Sequence, residues 1–461
     1  MSSDASPIIV VGGGPVGMTA AHALSRAGID FVLLESRSTI VLDAGSNLVL
    51  SPTGLRALSQ FGILPALNKV SSPLAKFRRF DHKGRDIGDT LFFTYVQKNH
   101  GEFPRVISRH DLMQVLWDAL PAEAAAKVYA NKKVSHIRTT ETGVVVHCAD
   151  GTTYLGSTVI GADGTYSCVR KYIDAMASDD ETKDGAAADK TATKEAPPPP
   201  PPPFLTTYRC LWVRFPMLPG VVAGDASESH GPVATTQYFA GEETAVVGVY
   251  EKLEEPTRRP RRYTADDEAA FVAEWSHLPL TGGAGGLTLG EAYAKKQQSG
   301  LVNLEEGVAP NWTHGGRAVL VGDAAHKFTP STGAGCNNGI IDVVVLANKL
   351  NRAFASSASP RAPSAGELAP VFQEYQDARR EAVASSCRLS GNATATATWD
   401  TLLLKLLDLY ILSSRLVQKF FVSRIASIAA ATPVFNYIEG KEEFMGVVPW
   451  ACAIPSSQKG L

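Results

Sequence analysis

A glycine cluster, Gly12-Gly13-Gly14-Pro15-Val16-Gly17, stands between a short β-branched run, Pro7 to Val11, and a helical stretch from Val16 to Ala27 that Gly28 stops. Glycines at this spacing, between a strand and a helix, constrain the fold more than any other feature of the chain. Gly12 permits the tight turn, Gly14 lets the backbone approach a pyrophosphate, and Gly17 lets helix and strand pack closely. The helix N-terminus then offers free N–H groups and a favourable dipole to the phosphates. Phe31 to Leu34 is a second short apolar run, of the kind a parallel strand buried on both faces requires, and it ends in Glu35. A carboxylate there accepts hydrogen bonds from ribose hydroxyls and disfavours a 2'-phosphate, so the unit is read as holding FAD or NAD rather than NADP.

The chain has 461 residues, 44% of them hydrophobic, which is far from the composition of a disordered protein. Its formal net charge of -2 gives no general field that would draw nucleic acid or anionic membranes, so no nucleic-acid partner is expected. Six scattered cysteines form no CxxC pair and have no histidines at zinc-ligand spacing; they read as reduced structural thiols, and no metal site is expected. The N-terminus MSSDASP has no apolar core of a signal peptide, which points to a cytoplasmic protein in which the sequons at Asn311 and Asn392 carry no meaning.

From Val128 to Ile160 the pattern becomes alternating strands separated by turns at Asn131-Lys132, Glu141-Thr142-Gly143 and Asp150-Gly151, a small antiparallel layer. Residues 178–203 lose hydrophobic periodicity and end in a proline run, and are expected to form a disordered insert with a polyproline II stub. Tyr208 to Phe215, Gln237-Tyr238-Phe239 and Thr244 to Tyr250 read as strands of a second, mixed sheet. Arg317 to Val321 is a further buried strand, Gly339 to Phe354 a helix, and the chain from Glu367 onward is helical by period.

Two further segments decide between FAD and NAD. Gly161-Ala162-Asp163-Gly164, running on to Arg170, and Gly322-Asp323-Ala324-Ala325-His326, followed by Pro330 and Gly333-Ala334-Gly335, resemble the DG and GD motifs of single-component flavoprotein monooxygenases of the aromatic-hydroxylase type. The resemblance runs from residue 8 to about 350. It implies an α/β fold: a Rossmann-type FAD domain from residues 1–71, 109–177 and 300–360, a mixed-sheet substrate domain from 72–108 and 204–299, and a helical region at 361–461. It also implies FAD contacts from Gly12, Gly14, Gly17, Glu35, Gly45, Asp163, Asp323, Gly333, Gly335 and Cys336. Arg109 matches an arginine at a helix start near the FAD ribose and pyrophosphate; the plainer reading is a helix-surface arginine.

A narrower resemblance, carried by Val302 to Val308, Trp312 and His326 to Pro330, is to fungal monooxygenases of terpenoid, meroterpenoid and indole-alkaloid pathways, many of them epoxidases. That family has a catalytic arginine in a strand of the form Tyr-Arg-Cys-Leu, here Tyr208-Arg209-Cys210-Leu211, and often a tyrosine on a neighbouring strand where this chain has Val246. Arg209 is therefore the expected catalytic residue, against the alternative of a partly exposed strand arginine. The implied reaction takes reducing equivalents from NADPH or NADH and oxygen from O2, and oxygenates a hydrophobic small molecule; an oxidase or reductase on the same fold is the alternative. His326 is read as making a structural hydrogen bond, and Lys69, Lys76, Arg78 and Arg79 as a solvated basic face. Thr401 to Phe435 is apolar but broken by charges, which argues against a bilayer span and leaves peripheral membrane contact or a core-covering helix pair.

Overall fold

The computed structural model describes residues 6–43, 45–185, 202–282, 285–356 and 362–456, with only the backbone of 179–185. The first sheet has strands in the order Thr313–His314, Ala318–Leu320, Thr158–Gly161, Ile8–Val11, Phe31–Leu34 and Val128–Tyr129. All its pairings are parallel except that of Thr313–His314 with Ala318–Leu320. Strands Ile8–Val11 and Ala318–Leu320 are buried on both faces, as a helix-covered parallel sheet demands. The helices Pro15–Arg26, Arg109–Asp118 and Ala334–Ser356 supply much of that cover.

The second sheet has seven strands: His326–Lys327, Gln298–Val308, Leu205–Pro216, Thr244–Thr257, Ala234–Ala240, Asp225–His230 and Lys76–Asp81. Its outer face packs on the helices Ala265–Trp275 and Leu289–Ala294 through Leu211, Val213, Phe215, Val247, Phe271 and Leu289. The inner face carries Tyr208, Cys210, Tyr250 and Leu304. The domain boundary expected at 300 falls inside Gln298–Val308, which pairs with Leu205–Pro216 along its length and so belongs to this sheet.

Other expectations change in detail. The start of the expected disordered insert is helical, because the helix Cys168–Gly185 continues through it; residues 186–201 lie outside the described residues. Arg79 is not part of a solvated face but is 5% exposed and ion-paired with Asp408. All six cysteines are free thiols.

The two sheets and the long helix Ala365–Ala397 meet at Asp342, whose carboxylate is fully buried. It accepts from Gly322 N at 2.9 Å, from Arg379 Nε at 2.8 Å and from the His326 imidazole at 2.5 Å. Burial alone would raise its pKa, but the His326 and Arg379 partners outweigh that and hold it below the usual carboxylate range. His326 is thus a structural bond, as its place in the sequence suggested. Asp342→Ala leaves Arg379 buried without its counter-charge and should cost about 3 to 5 kcal/mol, read as a lower urea midpoint; a loss under about 1 kcal/mol would show that the junction does not carry the fold.

Candidate functional site

The strand Ile8–Val11 ends in Gly12 at φ +103°, where a Cβ would stand 2.4 Å from the Ala162 carbonyl oxygen. A Cβ on Gly17 would meet Gly12 O at 1.9 Å. Both positions therefore require glycine, one for the turn and one for the approach of helix to strand. Gly14 differs: a Cβ there meets only Arg109 Nη2, at 3.5 Å. Gly45, at φ +103°, is similar, with only Arg109 Cδ at 3.5 Å. The helix Pro15–Arg26 begins with proline and has no side-chain cap, so its first-turn N–H groups are left to a ligand.

Glu35, 6% exposed, holds this loop in place. Its Oε2 accepts from Gly13 N at 2.6 Å, and its Oε1 from Arg37 N at 2.8 Å and Ser36 Oγ at 3.1 Å. A carboxylate has lone pairs to spare beyond these for ribose hydroxyls.

Arg109 opens the helix Arg109–Asp118, which Ser108 caps by accepting from Asp111 N at 3.0 Å. Burial lowers the pKa of its guanidinium and Arg37 lowers it further, while Cys336, Asp323 and Glu35 act the other way. It stays charged at any working pH. Asp323 lies in the turn Gly322–Ala324 and accepts from Lys327 Nζ at 2.7 Å. Its burial pushes its pKa up, but Lys327, His326 and Arg109 bring it below the usual range. Gly333, at φ +63°, ends the turn Pro330–Thr332, and Gly335 would place a Cβ 3.8 Å from Asp323 Oδ1. Burial and Asp323 push the Cys336 thiol up to about 12, so it remains protonated. Segments more than 300 residues apart, around Gly14, Glu35, Arg109, Asp323 and Cys336, thus converge on one place.

Asn337 also belongs to this place, and nothing in its sequence context singled it out. Its Nδ2 donates to Val49 O and Gly333 O, both at 2.8 Å, while its Oδ1 accepts from Ser51 N at 2.9 Å. It bolts the glycine-rich turn to the segment leading from Gly45.

Asp163 stands apart from the cluster. Its Oδ2 accepts from Cys168 N at 2.7 Å and Val169 N at 3.3 Å, capping the helix Cys168–Gly185, and its Cα backs directly onto Gly12. Arg170 donates to Ala324 O at 2.7 Å. The DG segment therefore supports the glycine loop and the GD turn from behind; Asp163 Oδ2 is committed to the helix, while its buried Oδ1 has no hydrogen-bond partner among the described residues.

Arg209 is not brought to the cluster. It pairs across strands with Glu251 and Asn303, forms an ion pair with Glu251, and lies over the Phe271 ring at 5.2 Å. Glu251 also accepts from Trp275 Nε1 at 3.2 Å. All these partners are on the outer, helix-covered face, whereas the expectation had Arg209 directed toward the cofactor. The neighbours Tyr208 and Cys210 point the other way, because alternate residues of a strand face opposite sides.

The inner face meets the cluster at two edges. Arg214 Nη1 donates to Asp43 Oδ1 at 2.7 Å, and Gln298 Nε2 to Asp43 O at 2.8 Å, beside Gly45. At the other edge Gln237 Nε2 donates to Ser331 O at 3.0 Å, beside Gly333. Val246 lies on this face opposite Arg214, and Tyr250 donates its hydroxyl to Gln237 Oε1 at 2.9 Å; Tyr238 is on the outer face.

The family model described as FAD binding domain matches residues 5–208 and 291–363. The chain is 30% identical over 458 residues to the FAD-dependent monooxygenase srdH of Neurospora crassa, covering 96% of this chain and 98% of that protein. It is 30% identical over 431 residues to the FAD-dependent monooxygenase ausM of Emericella nidulans, covering 93% and 86%. Among solved structures, HpxO of Klebsiella pneumoniae, complexed with FAD and uric acid, superposes with a TM-score of 0.70 at 18% identity over 94% of this chain and 98% of that one. The p-nitrophenol 4-monooxygenase PnpA of Pseudomonas putida gives 0.70 at 20% identity over 92% and 98%. These two establish the likeness of fold.

The side-chain-free space at Gly14 and Gly45, the uncapped helix start and the converging Arg109 and Asp323 fit FAD. Glu35→Gln replaces an acceptor by an NH2 group that confronts the Gly13 or Arg37 N–H, and it removes the charge. A loss of about 1.5 to 3 kcal/mol should weaken FAD binding roughly 10- to 150-fold in a fluorescence titration; unchanged affinity would take Glu35 out of the site.

Proposed function

The chain belongs to the FAD-binding family of FAD-dependent monooxygenases, and on that premise we propose that it uses NADPH or NADH and O2 to epoxidise or hydroxylate a hydrophobic small molecule in fungal secondary metabolism. The observation that carries this reading is the inner sheet face. Tyr208, Cys210, Tyr250 and Leu304 form a buried apolar patch on it, bounded by the Gly45 edge and the Ser331 edge of the cofactor cluster. An apolar substrate seated there loses little by desolvation and keeps water away from the reacting atoms. FAD, when bound, supplies the redox chemistry that activates O2. The protein's part is to hold it: the Gly12–Gly14 loop and the following helix start for the phosphates, Glu35 and Arg109 for ribose and pyrophosphate, Asp323 and the Gly333–Gly335 turn for the remainder.

Incubation with 18O2, NADPH and a panel of prenylated or indolic compounds tests the reaction. One labelled oxygen atom in the product is the expected result; product without label makes the protein an oxidase or reductase. Arg209→Ala should keep product formed per NADPH within about twofold of wild type, because its side chain is on the far face of the sheet. A tenfold fall with FAD still bound would restore Arg209 to the oxygen-transfer machinery.

Peripheral contact with a lipid surface is part of the same reading. Among the described residues no helix is long and apolar enough to cross a membrane. The helix Arg415–Ala430 exposes Leu416 at 81%, Ile428 at 70% and Phe420 at 62%, interleaved with exposed Arg415, Lys419 and Arg424. Asp408, the acidic residue within 401–430, is buried against Arg79, so this face presents cations and no carboxylate of its own. That combination suits an anionic bilayer interface. The holoenzyme should float with vesicles containing phosphatidylserine and less with neutral ones, and the triple variant Leu416→Ser, Phe420→Ser, Phe421→Ser should stay in solution. Equal flotation of the variant would remove this face from any lipid contact.

A further inference from the structure

Four ionisable side chains meet where the inner sheet face joins the C-terminal segment: buried Arg79, His230 and Asp408, and partly buried Glu228. Asp408, 1% exposed, pairs with the Arg79 guanidinium and accepts from Trp399 Nε1 at 2.9 Å; its Oδ2 is also 2.8 Å from His230 Nδ1. His230 Nε2 is 2.9 Å from Glu228 Oε2. Two cations and two carboxylates balance when the imidazole is charged, and both ring nitrogens then donate.

The cluster does not end there. Glu228 Oε1 accepts from Gln237 Nε2 at 2.8 Å, and the same amide nitrogen donates to Ser331 O at 3.0 Å in the turn beside Gly333. Ser331 Oγ is 2.6 Å from Thr394 Oγ1, near the end of the helix Ala365–Ala397, from which the chain runs through Trp399 back to Asp408. The bonds therefore close a ring through the turn, the helix end, the segment 398–412, the sheet and Gln237. The segment is tied to the turn that joins Asp225–His230 to Ala234–Ala240, and both sides of that contact have unusual backbone. Val233, at φ +72°, donates its N–H to Thr398 O at 3.1 Å, and Trp399 sits at φ +48°. Asp408 itself lies in a single π-helical turn, Leu407–Ile411, a form that recurs at functional positions.

We propose that His230 and Asp408 are positioning residues for the oxygenation: they lock segment 398–412 over the inner sheet face and, through Glu228 and Gln237, set the Ser331 turn against the cofactor. This rests on the reading of Pro330–Gly335 as the flavin side of the site. Closing the segment and setting the turn are one event, so a substrate that displaces the segment also loosens the turn, and re-closure seals the chamber against water.

The charge state of His230 bears on the lock. Burial lowers its pKa, but the hydrogen bonds and charges of Asp408 and Glu228 outweigh burial and raise it above the usual imidazole value. Arg79 faces the same carboxylate, and His82 feels the His230 charge. The contribution of the imidazolium is thus fully present below the ordinary imidazole value, and is lost as pH rises through the raised one.

The test is amide hydrogen exchange on the FAD-loaded enzyme, following 398–412 and 328–336 together. In His230→Asn, exchange should rise at least tenfold in both segments while FAD content stays at wild type, and hydrogen peroxide released per NADPH consumed should rise. In Gln237→Met, which cuts the link, 328–336 should loosen while 398–412 stays protected. If His230→Asn does not fold, raising the pH of the wild-type enzyme from 6 to 9, with exchange corrected for its intrinsic pH dependence, should open the two segments in parallel. Loosening of 398–412 alone, or uniform loosening of the whole chain, would reduce the cluster to a structural ion pair and overturn the proposal. Protein that never retains FAD would instead sink the flavin reading on which it rests.

Discussion

The hydrogen bond from Gly13 N to Glu35 Oε2, at 2.6 Å, joins the ends of two adjacent parallel strands and holds the glycine loop in the shape that a pyrophosphate needs. Everything else in the site is arranged around that loop. Gly12 and Gly17 let the helix and the Ala162 turn close on it, Asp163 braces it from behind, and Arg109 reaches across the open side left by Gly14 and Gly45. A larger residue at Gly12 would strike backbone rather than a side chain that can move away, so the loop has no means of adjusting.

The second sheet takes its role from how it meets that loop. Its two faces serve different ends: the outer one is a hydrophobic layer under Ala265–Trp275 and Leu289–Ala294, and the inner one is an apolar surface with a few fixed polar groups, opposed to the cofactor cluster. Since alternate residues of a strand take opposite faces, one position separates a side chain on the inner face from one under the helices. Tyr208 and Arg209 are such a pair. The Arg209 guanidinium has Glu251 and Phe271 on the outer face to satisfy it, and turning it inward would leave Glu251, 7% exposed, short of its counter-charge.

What was legible in the sequence is what short-range geometry forces. The glycine loop, Glu35 eighteen positions after Gly17, the Gly322-Asp323 turn and the turn at Gly333 each depend on neighbours within a few residues, and each is where the sequence placed it. The facing of Arg209 was hidden because no local pattern says which face of the strand the helices will cover. The pairing of His230 with Asp408 spans 178 positions, and Asp408 in sequence looks like one more charge on an amphipathic helix. Arg79 read as a surface base for the same reason. Asn337 was equally silent, because its value lies in bonding Val49 and Ser51, far away in the chain. The strand Gln298–Val308 runs unbroken through position 300 despite its two glycines, and passes at Gly307 from pairing with Leu205–Pro216 to pairing with His326–Lys327, which no local pattern announces.

A structure of the protein with FAD bound tests the central claim most directly. The account requires the ribose at Glu35, the pyrophosphate at the Gly12–Gly14 loop beside Arg109, and the flavin ring between the Gly45 and Gly333 edges, opposed to Tyr208, Cys210 and Tyr250. A flavin ring lying on the Arg209 face of the sheet, or a nucleotide held away from the Glu35 loop, would contradict it.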